Sequence, residues 1–361
     1  MRPSDRRDIR MKVRGLTIWP PLLLAPMAGL THSALRTTLL GCGGVGLLST
    51  EMLSAARLPV ENAQLSPYLV RTPVEQPLSY QLLVADEKYV AAAMTKLRQL
   101  EADSVDLNLG CPAPQVRRMG GGSCLMDDPQ RVRRIVASCR RATQGPLSAK
   151  IRLGERLDET ALRDFCQMLV GEGIDLLTVH ARLRGESFAR RPRWEWIAKV
   201  KQWIGIPVIA NGGIDSVENA RLCLELSGAD GLMIGRAAAV RPWIFAEIAR
   251  ALYGEDIPGT EIDLPQLYSG FVMALIERFA VERRLGRLKE FTHYFAKNYF
   301  FGHHLAAQVQ SSQSVEEAWG RAVQFFLVNG CPAGALPGAL QALMAAKGGC
   351  NSQNPGGGIA S

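Results

Sequence analysis

The 361-residue chain predicts an α/β fold, a (β/α)8 TIM barrel followed by a small C-terminal helical domain. Three observations carry this prediction. Eight short runs rich in Leu, Val and Ile recur with starts roughly 23 to 43 residues apart, the length of a strand plus its crossover helix and the spacing of parallel βα units. The segments between them are longer and studded with charge, as helices that pack one face on a sheet must be. Beyond Gly254 the strand pattern stops and apolar residues recur at i, i+3 and i+4. A doubly wound open sheet is the alternative that the same spacing allows.

In chain order, residues 1–14 form an N-terminal arm and 15–254 the catalytic barrel. The first strand spans Leu22–Met27. It lies in the one long apolar stretch, Leu16–Leu30, where Pro20, Pro21 and Pro26 exclude a membrane-spanning helix. Asp5 and Asp8 interrupt the basic run of Arg6, Arg7 and Arg10, so the start does not read as a signal peptide. Further strands are expected at Val45–Met52, Leu78–Val84, Ser104–Leu109, Leu147–Leu153, Leu176–Arg182, Pro207–Gly212 and Gly231–Arg236. Glu255–Pro265 is a polar linker with two prolines, opening a helical domain at 255–345 with helices at Leu267–Leu285, Lys289–Leu305 and Val315–Leu327. Residues 346–361 lack the apolar content to pack a core, and they and most of residues 1–12 are expected to be disordered.

Lys and Arg number 42 against 34 Asp and Glu, a formal net charge of +8. Mean hydropathy is +0.01, which excludes an integral membrane protein, and the pI is about 9.2. The arginines are grouped: Arg117 and Arg118; Arg131, Arg133 and Arg134; Arg190, Arg191 and Arg193; Arg283, Arg284 and Arg287. Such groups suit a polyanionic partner and equally suit solvated helix faces. The eight cysteines form no Cys-x-x-Cys pair and are too sparse for a disulfide scaffold, which predicts a reducing, cytoplasmic compartment and no metal site.

In barrels of this kind the active site collects at the C-terminal strand ends. Polar residues end many of these strands: Gln81 in the third; Asn108, Gly110 and Cys111 at the fourth; Lys150 in the fifth; His180 and Arg182 at the sixth; Asn211, Gly212 and Gly213 at the seventh; Gly235 and Arg236 at the eighth. One such residue is an ordinary structural occurrence, whereas six strands converging on one rim describe a site. After strands 7 and 8, small residues with free backbone N–H groups, joined by Arg236, predict a phosphorylated ligand or cofactor. Lys150 sits in an apolar run and requires an anionic neighbour. A reduced flavin, negative near its N1 and O2, satisfies it, with Gln81 offering donor and acceptor to the same ring edge; a Schiff-base lysine of an aldolase-type barrel is the other reading.

The stretch around Cys111 separates the two. Val105-Asp106-Leu107-Asn108-Leu109-Gly110-Cys111-Pro112, followed by Gly120-Gly121-Gly122-Ser123, resembles the signature of the tRNA-dihydrouridine synthases. Further segments similar to that family stand in order: LLLAPMAGLTH at 22–32, YQLL at 80–83, AKIRLG at 149–154, VHAR at 179–182, VIANGGI at 208–214, GADGLMIGRAA at 228–238 and RPWIF at 241–245. The Asn-x-Gly-Cys-Pro run with its glycine-rich loop is the specific part, while the phosphate-end segments occur in several FMN barrels. The segment from Arg287 through Lys289 and Phe291 to Tyr294 is more weakly similar to the family's C-terminal tRNA-binding domain.

The resemblance implies FMN as cofactor, NADPH as reductant and tRNA as partner. Pro26, Met27 and Ala28 would pack on the flavin; Gln81, Lys150 and His180 would hydrogen-bond its ring system and ribityl chain; Asn211, Gly212, Gly213, Gly235 and Arg236 would hold its phosphate. Asn108 would help hold the target uracil, Arg182 would stand on the substrate side, and Arg287 and Lys289 would contact the tRNA. Cys111 would be the general acid, protonating C5 of the uracil as hydride reaches C6. A thiol with an ordinary pKa of about 8.5 is mostly protonated at neutral pH, so a cysteine acid needs no electropositive neighbour. Cys124, in the glycine-rich loop, reads as packing.

Two departures stand out. His180-Ala181-Arg182-Leu183 replaces the His-x-Arg-Thr of many members and leads into a basic ARRPR at 189–193, which bears on substrate-side contacts. Gly235-Arg236-Ala237 replaces Gly-Arg-Gly, where alanine still keeps the backbone N–H. A different FMN barrel, acting on a free pyrimidine or enone, would account for strands 7 and 8 but not for the helical domain or the arginine groups. A tRNA-recognising module without redox activity would carry no flavin.

Overall fold

The computed structural model of the protein describes residues 10–259 and 261–330. The tail at 346–361 and residues 1–9 of the arm lie outside these. The chain divides into two compact units, Met1–Gly259 and Thr260–Ser361, rather than at 254. Residues just past Gly254 stay with the first unit because Trp19 Nε1 donates to Glu255 Oε1 at 2.6 Å and Arg250 Nη1 to the Pro258 carbonyl at 2.8 Å.

The first unit opens with an antiparallel hairpin of β1 (Met11–Val13) and β2 (Leu16–Ile18). Its turn uses positive φ at Arg14 and Gly15, 41° and 83°, the geometry that matches the twist of two short strands. Disorder was expected through residue 12, and the apolar alternation of Met11 and Val13 overrides it. These two residues and Ile18 pack with Leu23, Leu47, Leu176, Ile209 and Met233, closing the floor of the barrel.

The barrel strands are β3 (Leu22–Leu24), β4 (Leu48–Ser49), β5 (Leu53–Ser54), β6 (Leu78–Leu83), β7 (Ser104–Leu109), β8 (Leu147–Arg152), β9 (Leu176–His180), β10 (Val208–Asn211) and β11 (Gly231–Ile234). They pair in parallel in the order β3-β11-β10-β9-β8-β7-β6-β4, with β5 also on β6. A parallel bridge between Leu23 and Leu47 joins β3 to the segment entering β4. The ring closes, so the fold is the TIM barrel and not the open sheet. The strand expected at Val45–Met52 is two short pieces, β4 and β5, on the same neighbour.

Around the ring run α1 (Ser33–Cys42), α2 (Val90–Gln99), α3 (Pro114–Arg118), α4 (Pro129–Ala142), α5 (Glu159–Gly171), α6 (Trp194–Trp203), α7 (Val217–Ser227), α8 (Arg236–Val240) and α9 (Ile244–Ile248). Asp128, Asp158 and Ser216 cap α4, α5 and α7 by accepting the backbone N–H of Arg131, Ala161 and Asn219.

The second unit holds α10 (Leu264–Arg278), α11 (Val281–Phe295), α12 (Gly302–Gln310) and α13 (Val315–Val328). The helices expected at Leu267–Leu285 and Lys289–Leu305 are each divided by an extended residue, Phe279 (φ −122°, ψ 144°) and Tyr299 (φ −111°, ψ 143°), which apolar periodicity alone does not reveal. An aromatic core binds them: Tyr268, Phe271, Phe291, Phe295 and Phe326 are fully buried, and the Phe271 and Phe291 rings stack at 3.8 Å. Among the described residues no helix is long and apolar enough to cross a membrane.

Candidate active site

Because all the barrel strands are parallel, their C-terminal ends share one rim. Strand alternation then selects which side chains point inward. Gln81 and Asp106 are Cα partners across β6 and β7, Asn108 and Lys150 across β7 and β8, and Arg152 and His180 across β8 and β9. Lys150 Nζ donates to Asn211 Oδ1 at 2.8 Å, and Asn211 Nδ2 donates to the Met233 carbonyl at 2.7 Å. Gln81, Asn108, Lys150, His180 and Asn211 therefore meet as the sequence predicts. Pro26 and Met27 are half-buried after β3 and Ala28 is exposed; a Cβ added to Gly235 would stand 3.5 Å from Met27 Sδ.

The rim is strongly cationic. Lys150, Arg152, His180 and Arg182 are each lowered by burial first and then by cationic neighbours, Arg236 acting on His180 and Arg182. Burial first, then Arg152, brings Lys150 down to about 8. Burial and the surrounding cations push His180 well below its ordinary value. A guanidinium only donates, so the 3.0 Å contact between Arg182 Nη1 and His180 Nε2 leaves the imidazole neutral with its proton on Nδ1. Among the described residues no carboxylate comes within ion-pairing distance of Lys150, Arg152, Arg182 or Arg236.

Two glycines shape this rim. Gly212 has φ +109°, and a Cβ there would stand 2.9 Å from the His180 ring. Gly122 has φ +64°, and a Cβ there would stand 2.5 Å from the Cys111 carbonyl oxygen. Only glycine lets the 120–123 loop fold back on Cys111. Ser123 N–H donates to that carbonyl at 3.0 Å, while Asn108 Oδ1 accepts the Cys111 N–H at 3.0 Å and the Gly110 N–H at 3.3 Å. The Cys111 thiol is half-buried at the edge of this arrangement.

Arg182, expected on the substrate side, donates within its own loop, to the carbonyls of Arg190 (2.7 Å) and Phe188 (3.0 Å). Arg287 and Lys289 belong to the helical unit; both are half-buried, and Arg287 stacks on Phe279 at 4.8 Å and donates to the Arg283 carbonyl. Three residues join the site unannounced. Arg152 follows Lys150 by two positions and so shares its face, a signal the alternation carried. Asp106 stands two before Asn108 in the same way. Phe188 lies in a loop where no periodicity applies; Arg236 stacks on its ring at 4.0 Å and His180 lies 6.0 Å away.

The family model described as dihydrouridine synthase matches residues 23–324. The chain is 37% identical over 239 residues to the probable tRNA-dihydrouridine synthase 1 of Synechocystis, covering 66% of this chain and 67% of that protein. It is 34% identical over 287 residues to the tRNA-dihydrouridine(16) synthase of Pseudomonas syringae pv. tomato, covering 77% and 90%, and 33% identical over 304 residues to that of Aquipseudomonas alcaligenes, covering 82% and 96%. Among solved structures, histamine dehydrogenase from Rhizobium sp. 4-9 superposes with a TM-score of 0.51 at 12% identity, over 75% of this chain and about half (51%) of that one, a likeness of fold. The chain belongs to the dihydrouridine synthase family.

Proposed function

We propose that this synthase reduces the C5=C6 bond of uridine in tRNA with FMN at the C-terminal rim, NADPH as the source of electrons and Cys111 as the proton donor. The observation that carries the reading is the excess of positive charge described above, set beside a thiol whose backbone is fixed on both sides. Arg152 and Arg182 are buried and, with Lys150 and exposed Arg236, have no carboxylate within ion-pairing distance among the described residues, which favours a bound anion, and a flavin phosphate with an electron-rich ring fits the donors present. Arg236, with the backbone N–H groups of Gly212, Gly213 and Gly235, would hold the phosphate. Lys150, which donates to Asn211 in the rim, would face the electron-rich ring edge. Neutral His180 and Gln81 would hydrogen-bond the polar groups of the ring and ribityl chain, and Pro26, Met27 and Ala28 would cover one face.

When bound, FMN recharged by NADPH supplies hydride to C6 of the uracil. Cys111 holds the proton for C5, and Asn108 positions both the thiol's backbone and the uracil. The uridine must be splayed out of the tRNA stack to reach this depth, as enzymes acting on a base require. Acid work needs a reduced thiol, which fits the cytoplasmic compartment that the cysteine pattern predicts.

The test is Cys111→Ala. The variant should bind FMN and be reduced by NADPH as the wild type is, while dihydrouridine formation in tRNA falls by the roughly 10²–10⁴-fold contribution of a positioned acid. Turnover above about a tenth of wild type would assign the proton to another group. A protein that binds tRNA but takes up no FMN would favour the module without redox activity.

A further inference from the structure

Gln81, Asp106 and Ser148 are Cα partners across β6, β7 and β8, so their side chains stand in a row inside the barrel, one layer below Asn108 and Lys150. They are joined by hydrogen bonds that run in one direction. The N–H groups of Gly110 and Cys111 can only donate, so Asn108 must turn Oδ1 to them. Its Nδ2 then donates to Gln81 Oε1 at 2.8 Å, which turns Gln81 Nε2 to Asp106 Oδ2 at 2.7 Å. Ser148 Oγ donates to Asp106 Oδ1 at 2.6 Å. The chain starts on backbone groups that cannot accept and ends on a carboxylate that, when ionised, cannot donate.

Asp106 is 4% exposed, and burial raises its pKa. An isolated buried carboxylate would be costly. The two hydrogen bonds and nearby Lys150 act in the opposite direction, in favour of the ionised form. Asn108 Oδ1 is saturated by its two backbone donors, so what remains for a bound ring is the second Nδ2 hydrogen.

We propose that Asp106 is a positioning residue: its carboxylate accepts the last donor of the chain that the Gly110 and Cys111 N–H groups orient, holding Gln81 and through it Asn108, so that Asn108 presents its free N–H to the ring bound at the mouth and the Cys111 loop is held in place. The identity of that ring rests on the function proposed above; the direction of the chain does not. A ring carbonyl is the group such a donor selects, and a reversed chain would present the amide oxygen and select an exocyclic amine.

The test mispairs the chain in the apoprotein. Asp106→Asn alone keeps an acceptor toward Gln81, because the new amide N–H can turn to Ser148, whose hydroxyl then points to the Val105 carbonyl 3.5 Å away. Ser148→Ala alone leaves the carboxylate in place. Together they leave the buried amides one acceptor short: either the new N–H faces the methyl at position 148 without a partner, or Gln81 and Asn108 turn over and set an N–H against the Cys111 N–H, and in both cases the chain that holds the Cys111 loop is mispaired. Alkylation of Cys111 by iodoacetamide, mapped by mass spectrometry, should stay within about twofold of wild type in each single variant and rise about tenfold in the double variant, as a mispaired buried group predicts. The dissociation constant for FMN, read by quenching of flavin fluorescence, should weaken in the same non-additive pattern.

Asp106→Leu is the second variant. Leucine removes the terminal acceptor and leaves the buried Gln81 Nε2 unsatisfied, so Cys111 labelling should rise as in the double variant. Additive or unchanged labelling in the double variant, or wild-type labelling in a folded Asp106→Leu protein, overturns the proposal. If labelling follows the expected pattern but the wild type forms no dihydrouridine, the reaction assignment falls and the positioning role stands; the reverse pair of results does the opposite.

Discussion

Burial and the neighbouring Arg152 bring the Lys150 ammonium down to about 8, so in the ligand-free protein it is charged below that pH and neutral above it. The charged form is the one that would attract the phosphorylated, electron-rich flavin. FMN affinity should therefore be full below about pH 8 and decline as pH rises through it, the direction required when the ligand favours the protonated state. Lys150→Met should weaken FMN binding at neutral pH by about 10- to 100-fold, the loss of one charge-assisted hydrogen bond, and leave a flat profile between about pH 7 and 9. Fluorescence titration of the apoprotein checks both. A Lys150→Met profile that still falls through pH 8 would move the titrating group elsewhere on the rim.

Among the elements, the strands were the most legible because burial on both faces writes them as continuous apolar runs. Ser104–Leu109 is a strand over the span expected, whereas the first strand stops at Leu24, short of the expected Met27, as the chain turns through Pro26 at the mouth. The site was legible where a polar residue interrupts such a run, as Asn108, Lys150 and His180 do. It was illegible where loops decide, at Phe188 and in the inward use of Arg182, because loop backbone follows no period. The N-terminal hairpin was missed for a related reason: three-residue strands carry too little alternation to stand out beside charged neighbours. Its contribution is measurable. Ile18 is 1% exposed in the barrel floor, and Ile18→Ala should destabilise the protein by about 2–4 kcal/mol, the cost of a large-to-small change in a packed core. Denaturant unfolding monitored on the barrel would show it, and a change below about 1 kcal/mol would mean that the hairpin is peripheral to the core.

At the scale of the whole molecule, each unit offers its own basic groups to a polyanion, and the structure sorts them. In the barrel unit Arg193 is committed to Glu186 through two 2.6 Å contacts, an arrangement that holds the Glu186 carboxyl at about 2. Arg190 and Arg191 are left exposed in the same loop. In the helical unit Arg287 keeps its guanidinium against Phe279, with exposed Arg283 one turn away and Lys289 two positions on. A side chain that neutralises a tRNA phosphate releases counterions, so its removal lowers affinity and flattens the dependence of log Kd on log salt by about one unit per contact, whatever the sequence bound. Two double variants separate the surfaces: Arg190→Ala with Arg191→Ala, and Arg287→Ala with Lys289→Ala. Each pair that touches the backbone should flatten the slope while leaving reduction of FMN by NADPH unchanged, since that step is proposed to depend on the rim residues. A pair that lowers affinity without changing the slope would be acting through local structure, the outcome to watch for at half-buried Arg287. If both slopes match wild type, the phosphate contacts lie on other arginine groups, and Arg117 and Arg118, on α3 directly after the Cys111 loop, are the next pair to substitute.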